Sequence, residues 1–156
     1  MGLHMQNPEH IDPDWARYAE TVLSFGGQPP FEVDLRENLT ASARAGFRNR
    51  GFRRTFAILT AHDPRGRNLS ADENSVLQGR LEKELQEAGV RYVRVDACSV
   101  DRKHCECSVA LDVDQDRALE IAVKYDQMAI FWYDGDCMWL LGAIVRTDPI
   151  RLPRSA

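Results

Sequence analysis

The stretch Phe56-Ala-Ile-Leu-Thr-Ala-His-Asp-Pro-Arg-Gly-Arg67 organises the rest of the chain. Its first residues form an apolar run that is too short for a helix, so it predicts a buried strand, Thr55–Ala61. The run stops at a polar loop that contains proline and glycine. A helix start follows, where Ser70 and Glu73 have the spacing of a capping box. The stretch therefore predicts a strand, a loop and a helix in direct succession.

Length and composition are those of one ordinary globular domain. The chain has 156 residues, of which 44% are hydrophobic and 28% are charged. No apolar run approaches the roughly 18–20 residues that cross a bilayer, and the longest, Trp139–Val145, fits a strand. The first residues lack the basic and apolar regions of a signal peptide. We therefore expect no membrane association and a cytoplasmic location.

The four cysteines have no spacing typical of a disulfide framework, which favours reduced thiols. A zinc site would have to use Cys98, Cys105 and Cys107 with His104. These residues are adjacent or alternate along a predicted strand, and no C-x-x-C pair is present. The sequence predicts no metal site and identifies no cofactor.

The charge is unevenly distributed. The net charge is −4, but the segment 44–67 holds seven arginines and one acid, so it carries +6 and the remainder −10. Arginine makes up 17 of the 20 basic residues and suits contact with phosphate or carboxylate groups. The segment is interpreted as a solvated connector or, alternatively, as an anion-binding surface. The acidic chain as a whole is not typical of nucleic-acid binders.

Upstream of the quoted stretch, the predicted elements are mostly helical. Asp12-Pro13 is a helix start, and helical spacing of apolar residues continues to Leu23 before Gly26-Gly27. Residues 31–35 predict a short edge strand. Residues 37–54 have no convincing period and predict a loop or an irregular helix.

Downstream, hydrophobic periodicity and turn residues predict two further helix–strand units. Alternation is clearest between Cys105 and Val113. The predicted elements are a helix at 70–88 ended by Gly89, strands at 92–97 and 103–113, a helix from Asp114 or Asp116 to Tyr125, a strand at 128–133, a hairpin turn at Asp134-Gly135 and a strand at 137–145. Residues 147–156 predict a disordered tail.

This order predicts an α+β fold: a ferredoxin-like βαββαβ sandwich with an added C-terminal hairpin strand and an N-terminal helix. The expected division is an N-terminal helical extension with an arginine-rich connector (1–54), a core domain (55–146) and a tail (147–156). Right-handed crossovers place the third core strand between the first and second, and the first between the third and fourth. All neighbouring strands are then antiparallel.

In that topology four separate pieces of the chain meet at one edge of the sheet. They are Thr60–Arg67, Asn74, His104–Ser108 and Gln127, together with the N-terminus of the helix at 70–88. The candidate site residues are Glu106 and His104 for catalysis, and Thr60, Asp63, Arg65, Arg67, Asn74, Ser108 and Gln127 for ligand binding.

Each candidate also has a structural interpretation. Asn74 either holds the Asp63-Pro64 loop or contacts a ligand, since a polar amide on an apolar helix face needs partners. The histidines at 62 and 104 are better interpreted as scaffold. Glu106 and its neighbours either line a pocket or form the solvated face of a one-sided sheet. Gln127 could cap a helix end. Arg65-Gly66-Arg67 before a helix N-terminus suits an oxyanion, although no nucleotide motif is present.

The motifs Thr60-Ala-x-Asp63-Pro, Ser70-x-x-x-Asn74, His104-x-Glu106-x-Ser108 and Gln127-x-Ala-Ile-Phe131 occur here in this order. Taken together, they make residues 56–142 resemble the bacterial family catalogued as domain of unknown function 3293. Asparagine is usual in that family where this chain has Asp63, so the resemblance implies a more acidic loop here. It implies a shared site without naming its chemistry.

Three functions follow from these patterns. The first is binding of a small anionic ligand, such as a nucleotide or phosphorylated metabolite, at the shared edge. The second is a hydrolase or transferase with Glu106 or His104 as general base. The third is protein or nucleic-acid interaction through Arg44–Arg54. Nucleic acid is disfavoured because the predicted sheet face offers His, Glu and Ser instead of stacking aromatic residues.

Overall fold

The structure, a computed structural model, describes residues 15–154. They form eight strands and four helices, and a short 3-10 turn at Pro64–Gly66 follows the third strand. The strands are β1 (Val22–Phe25), β2 (Phe31–Asp34), β3 (Phe56–Leu59), β4 (Tyr92–Cys98), β5 (Cys105–Leu111), β6 (Ala129–Tyr133), β7 (Met138–Gly142) and β8 (Ile150–Leu152). The helices are α1 (Trp15–Tyr18), α2 (Ala41–Asn49), α3 (Ala71–Glu87) and α4 (Gln115–Lys124).

The strands form one antiparallel sheet in the order β2-β1-β4-β5-β3-β6-β7-β8. β5 lies between β3 and β4, and β3 lies between β5 and β6, as predicted for the four central strands. Leu59 lies opposite Val109, and Ile58 lies opposite Phe131. The end of β3 therefore lies beside the middle of β5 and the first half of β6.

Both faces of the sheet are covered, because successive side chains of a strand point to opposite sides. On β5, Val109 and Leu111 join the apolar cluster packed against α3 and α4. Ala110 joins the cluster that contains residues of α1 and α2 on the other face. Ser108 lies on the same face as Ala110 and is only 2% exposed. A solvated sheet face is therefore the wrong interpretation for Ser108.

The N-terminal helix ends earlier than predicted. Among the described residues before β1, Trp15–Tyr18 are the helical ones, and the predicted start at Asp12-Pro13 lies outside the described residues. Val22–Phe25 form a strand that pairs with β2 on one side and with β4 on the other. The prediction of a helix through Leu23 is wrong, because two ladders satisfy the backbone while the same side chains become buried.

The arginine-rich segment contains a regular helix. Thr40 caps α2, since its hydroxyl accepts a hydrogen bond from the Ala43 amide at 3.0 Å. Phe47 then packs into the core beside Phe56 with ring centroids 4.9 Å apart. The edge strand predicted at residues 31–35 is confirmed as β2, which lies at the end of the sheet.

The predicted helix start at Ser70 is confirmed, and of the two starts predicted for α4, Asp114 or Asp116, the structure has Asp114 as the N-cap. Ser70 and Glu73 form a reciprocal capping box at α3, and Gly89 follows that helix in the left-handed conformation with φ of 68°. The Asp114 carboxylate accepts a hydrogen bond from the Arg117 amide at the start of α4. Short-range spacing therefore located both helices correctly.

The C-terminal segment is more ordered than predicted. The hairpin at Asp134-Gly135 joins β6 to β7 as expected. Beyond it, Ile150–Leu152 pair with β7, and Leu152 is buried opposite Met138. The prediction of disorder throughout 147–156 is wrong, because an apolar side chain in this short segment completes the core.

Two of the cysteines are joined, which corrects the prediction of reduced thiols. Cys98 and Cys105 lie opposite each other on β4 and β5 and form a disulfide, while Cys107 and Cys137 are free. The disulfide removes the thiol argument for a cytoplasmic location. Among the residues described, no helix is both long and apolar enough to cross a membrane.

Candidate functional site

A cavity of about 380 Å³ lies where β3 ends and β5 begins, and we call it the end cavity. Five parts of the chain line it: α1 with the turn after it, the end of β3 with the loop that follows, the segment from the end of β4 through the turn into β5, the start of β6, and Leu140 of β7. These parts meet because β3 is antiparallel to both of its neighbours. The end cavity thus lies at the edge where polar residues were predicted to converge.

The loop after β3 is fixed by a polar contact with α3. The Asp63 amide donates to Asn74 Oδ1 at 2.8 Å, and Asn74 Nδ2 donates to Asp63 Oδ1 at 3.0 Å. The same Asp63 oxygen accepts a hydrogen bond from the Leu69 amide at 2.9 Å. Asp63 has φ of 47°, a left-handed conformation that aspartate and asparagine tolerate better than most residues. Asn74 therefore performs the structural role that its position allowed.

The floor of the cavity is apolar with two hydroxyl groups. Ile58, Ala129 and Phe131 contribute apolar surface. Thr60 Oγ1 donates to the carbonyl of Cys107 at 2.7 Å. Ser108 Oγ donates to the Glu106 carbonyl at 3.3 Å. Both hydroxyls thus satisfy the backbone where the ladder between β3 and β5 ends.

Three ionisable side chains converge at the rim. A carboxylate oxygen of Asp63, a carboxylate oxygen of Glu106 and an imidazole nitrogen of His104 all lie within 4.8 Å of one another. His104 Nε2 is 3.5 Å from Glu106 Oε1. The side chain of His104 is 67% exposed and that of Glu106 is 29% exposed, so the group lies between solvent and the cavity. We call these three residues the rim cluster.

His62 lines the same cavity and is held through its backbone. Its amide donates to Thr60 Oγ1 at 3.1 Å, and its carbonyl accepts from Gln127 Nε2 at 3.0 Å. Burial lowers the pKa of His62, and His104 lowers it further, while Asp63 acts in the opposite direction. The neutral imidazole, which can accept a proton or a hydrogen bond, is therefore favoured at neutral pH.

Six of the nine predicted site residues line the end cavity. They are Thr60, Asp63, His104, Glu106, Ser108 and Gln127. The side-chain amide of Gln127 also donates, through Nε2, to the carbonyl of Tyr125 at 3.2 Å, which is the predicted helix-end contact.

The other three predicted residues lie elsewhere. Asn74 is hydrogen-bonded to Asp63 and does not line the end cavity. Arg65 points to Asp126, with Arg65 Nη2 3.2 Å from Asp126 Oδ1. Arg67 lines a different, more open cavity of about 620 Å³. Arg65 also has a left-handed backbone, φ of 56°, and its amide donates to the Asp126 carbonyl. This loop geometry separates the arginines from Glu106.

The start of α3 is not part of the end cavity either. Its first turn is closed by the capping box, and α3 packs with Leu81 and Leu85 on the sheet face opposite the cavity floor. Ile58 belongs to the other face. The predicted pocket beside a positively polarised helix tip is therefore not formed by these residues.

Sequence reasoning missed the α1 side of the cavity. Arg17, Tyr18 and Thr21 line it, about forty residues before the loop that they face. Their spacing suggested a helix covering apolar surface, and no short-range pattern distinguishes a cavity wall from such a cover. His62, interpreted from the sequence as scaffold, also lines the cavity next to Asp63.

These features define a mixed α/β domain with an eight-stranded antiparallel sheet and a polar cavity at one end of its central strands. Residues 59–130 match the family described as "Protein of unknown function (DUF3293)", so the resemblance predicted from the motifs is confirmed over that range. The match contains all nine predicted site residues and begins after α1 and α2. Comparisons with curated proteins and with solved structures gave no match.

Proposed function

We propose that this domain binds a small polar molecule in the end cavity. The observation that carries the proposal is the convergence of Asp63, His104 and Glu106 at the rim of a cavity of about 380 Å³. An apolar floor with a few convergent polar groups is the usual composition of a small-molecule site. The ligand's polar end would face the rim cluster, and its apolar part would lie on Ile58 and Phe131.

The charge of the cavity wall restricts the ligand. Asp63 and Glu106 bring two carboxylates, and among the described residues Arg17 is the one arginine or lysine in the lining. The expected phosphate contacts of Arg65 and Arg67 have no support from their positions. A ligand bound directly to the rim cluster would therefore be neutral or cationic. A nucleotide or phosphorylated metabolite would need an added positive charge there.

The test is thermal unfolding of the full chain in EDTA against amines, sugars, nucleotides and phosphosugars. A ligand at 100 times its dissociation constant adds about 2.7 kcal/mol, which raises the midpoint by several degrees. The variant Ala129→Leu, which fills part of the floor, should unfold normally and lose the shift. A shift that persists in this variant, or no shift with any class, would count against the proposal.

An enzymatic role is the alternative, favoured by one contact. The imidazole of His104 lies 3.5 Å from the Glu106 carboxylate, an arrangement in which the carboxylate can orient a general base. Ser108 is a poor nucleophile candidate, since its hydroxyl is buried and donates to a backbone carbonyl. With a substrate found by the panel, Glu106→Gln should reduce turnover more than binding. Equal loss of both would favour the binding role.

The arginine segment gives less support to an interaction role. Arg44 donates to the carbonyls of Leu39 and Asp136, and Arg50 donates to the carbonyl of Pro29 while its guanidinium lies over the Phe31 ring. These arginines hold loops in place. Charge reversal at Arg48 and Arg53 is the remaining test of that role.

We also infer that residues 55–146 form a ferredoxin-like unit, which β1, β2 and β8 extend on both sides. The order β4-β5-β3-β6, with α3 and α4 on one face, supports this assignment. Deletion of residues 1–54 tests it, because a self-contained unit should remain folded. The deletion also removes Phe47, which packs against Phe56, so the shortened protein should be less soluble even when it is folded.

A further inference from the structure

We propose that Asp63, His104 and Glu106 bind a divalent metal cation at the rim of the end cavity. Their candidate donor atoms already lie within 4.8 Å of one another. Donors that share one metal at bonds of about 2.0–2.2 Å lie roughly 3–4 Å apart, so small side-chain rotations would complete the site. This proposal deepens the proposed function, because the metal would occupy the polar end of the same cavity.

Each of the three residues is held in place by hydrogen bonds close to it. Asp63 Oδ1 accepts hydrogen bonds from the Leu69 amide and from Asn74 Nδ2, which leaves its second oxygen for the cation. Hydrogen bonds of this kind orient metal-binding carboxylates and raise metal affinity. A site with one anchored ligand needs less ordering when the metal arrives.

Glu106 and His104 are also held by contacts close to them in the structure. Glu106 is part of the ladder between β4 and β5, opposite Ala97. The turn before His104 is closed by two hydrogen bonds, from the Ser99 amide to the His104 carbonyl and from the His104 amide to Ser99 Oγ. Ser99 directly follows Cys98, whose disulfide with Cys105 fastens the base of the same turn.

The cavity is the independent observation that points to a ligand at this cluster. The three residues come from two segments, the loop after β3 and the start of β5, and face a cavity large enough for a cation with its remaining ligands. Charged groups on a convex surface lack such enclosed space. Three protein ligands leave coordination positions open, which is typical of sites where a metal holds a substrate or water.

The donor set selects the class of metal. One imidazole nitrogen with two carboxylate oxygens suits cations of intermediate hardness, such as Mn²⁺, Fe²⁺ or Zn²⁺, better than Cu⁺ or Ca²⁺. A bound divalent cation would neutralise the carboxylates of Asp63 and Glu106. An anionic group of a ligand could then enter beside Arg17, as the wall alone would not allow.

The test is titration of the full chain, freed of metal with EDTA and dialysed, with MnCl₂ and separately with ZnCl₂. Calorimetry should give one equivalent of metal per chain, and Mn²⁺ should broaden the NMR signals of Thr60 and Ser108 ahead of those distant from the cavity. Both measurements use the unsubstituted protein. Absence of binding at millimolar metal, or broadening confined to other regions, would overturn the proposal.

Variants provide the second measurement. Glu106→Gln and His104→Ala should each weaken metal binding by about tenfold to a hundredfold. Glu87→Gln is the matched control, because Glu87 is exposed at the far end of α3 and should leave the affinity unchanged. Equal affinity in all variants would place the metal elsewhere and overturn the assignment.

The two proposals can fail separately. If the metal does not bind but a ligand raises the unfolding midpoint in EDTA, the cavity is a metal-free binding site and the metal assignment is wrong. If Mn²⁺ binds at the rim but no small molecule binds with or without it, the metal assignment stands and the small-molecule proposal fails.

Discussion

Asn74 and Asp63 form a reciprocal pair of hydrogen bonds between the inner face of α3 and the loop after β3. The Asp63 amide donates to Asn74 Oδ1 at 2.8 Å, and Asn74 Nδ2 donates to Asp63 Oδ1 at 3.0 Å. In its contacts with Asn74 and Leu69, the Asp63 side chain acts as a hydrogen-bond acceptor through Oδ1. An asparagine side chain offers the same acceptor oxygen, so the carboxylate of Asp63 is not needed to hold the loop and instead adds charge to the cavity.

The variant Asn74→Ala should lower the free energy of unfolding by about 1–3 kcal/mol, because a partly buried Asp63 amide loses its acceptor. Urea denaturation measures the change. Ser75→Ala, on the exposed face of the same helix, is the matched control and should stay within about 0.5 kcal/mol of the original protein. Equal stability of the two variants would show that the pair does not hold the loop.

Two glycines in helices should respond oppositely to alanine. A Cβ on Gly46 of α2 would lie 2.5–2.8 Å from three carbons of the Phe31 ring, which itself stacks on Phe25. Gly46→Ala should therefore destabilise the protein by roughly 1–2 kcal/mol, after the gain in helix propensity is subtracted.

Gly79 of α3 is the comparison, because a Cβ there meets nothing within 4 Å. Gly79→Ala should stabilise the protein by about 0.5–1 kcal/mol in the same denaturation measurement. Stabilisation by both substitutions would mean that the Phe31 ring moves aside without cost.

Asp134 should make the stability of the β6–β7 hairpin depend on acid pH. Its carboxylate accepts hydrogen bonds at 2.7 Å from the amides of Asp136 and Cys137 and from Trp139 Nε1. Asp134 is exposed, and its limited desolvation would by itself raise the pKa of the carboxyl group, but these hydrogen bonds outweigh that effect and the pKa lies below its ordinary value. The stabilisation is therefore complete above the unfolded value of about 3.9 and is lost as the pH falls through the folded value.

At neutral pH, Asp134→Ala should cost about 1–2 kcal/mol, and the difference from the original protein should shrink below pH 4. Asp136→Ala is the matched control, since the Asp136 side chain is 80% exposed and its ion pair with Arg44 is long, at 3.6 Å. A pH-independent difference for Asp134→Ala would contradict the charge-based explanation.

The disulfide predicts a redox-dependent stability. Unfolded protein without reductant should show two reactive thiols, those of Cys107 and Cys137, and four after reduction. Cys98→Ser should lower the unfolding free energy by roughly 2–3 kcal/mol without reductant, because the unfolded chain gains freedom. Cys107→Ser should leave the effect of reductant unchanged. Four reactive thiols before reduction would contradict the pairing.

Features that depend on residues close together in the sequence were predicted correctly. Ser70 and Glu73 are three residues apart, and their capping box was read directly from that spacing. Asp134-Gly135 likewise marked its hairpin. Chirality and connection rules then placed β3 between β5 and β6, and this neighbour order brought Thr60 and Ser108 to one cavity.

Predictions failed where a residue's partner is distant in sequence and local spacing is ambiguous. Val22 and Leu23 fit a helical pattern, yet pairing with β4 makes them a strand. Arg65 was expected at an anion site, but a left-handed backbone turns it to Asp126. Cys98 and Cys105 became partners only through the register of β4 and β5.

The sequence by itself determined the order of helices and strands in the centre of the chain, because capping, turn residues and side-chain alternation act over a few positions. Only the tertiary structure decided which polar residues share a cavity. That depends on strand register and loop conformation, which bring Arg17 and the rim cluster together and turn Arg65 and Arg67 away.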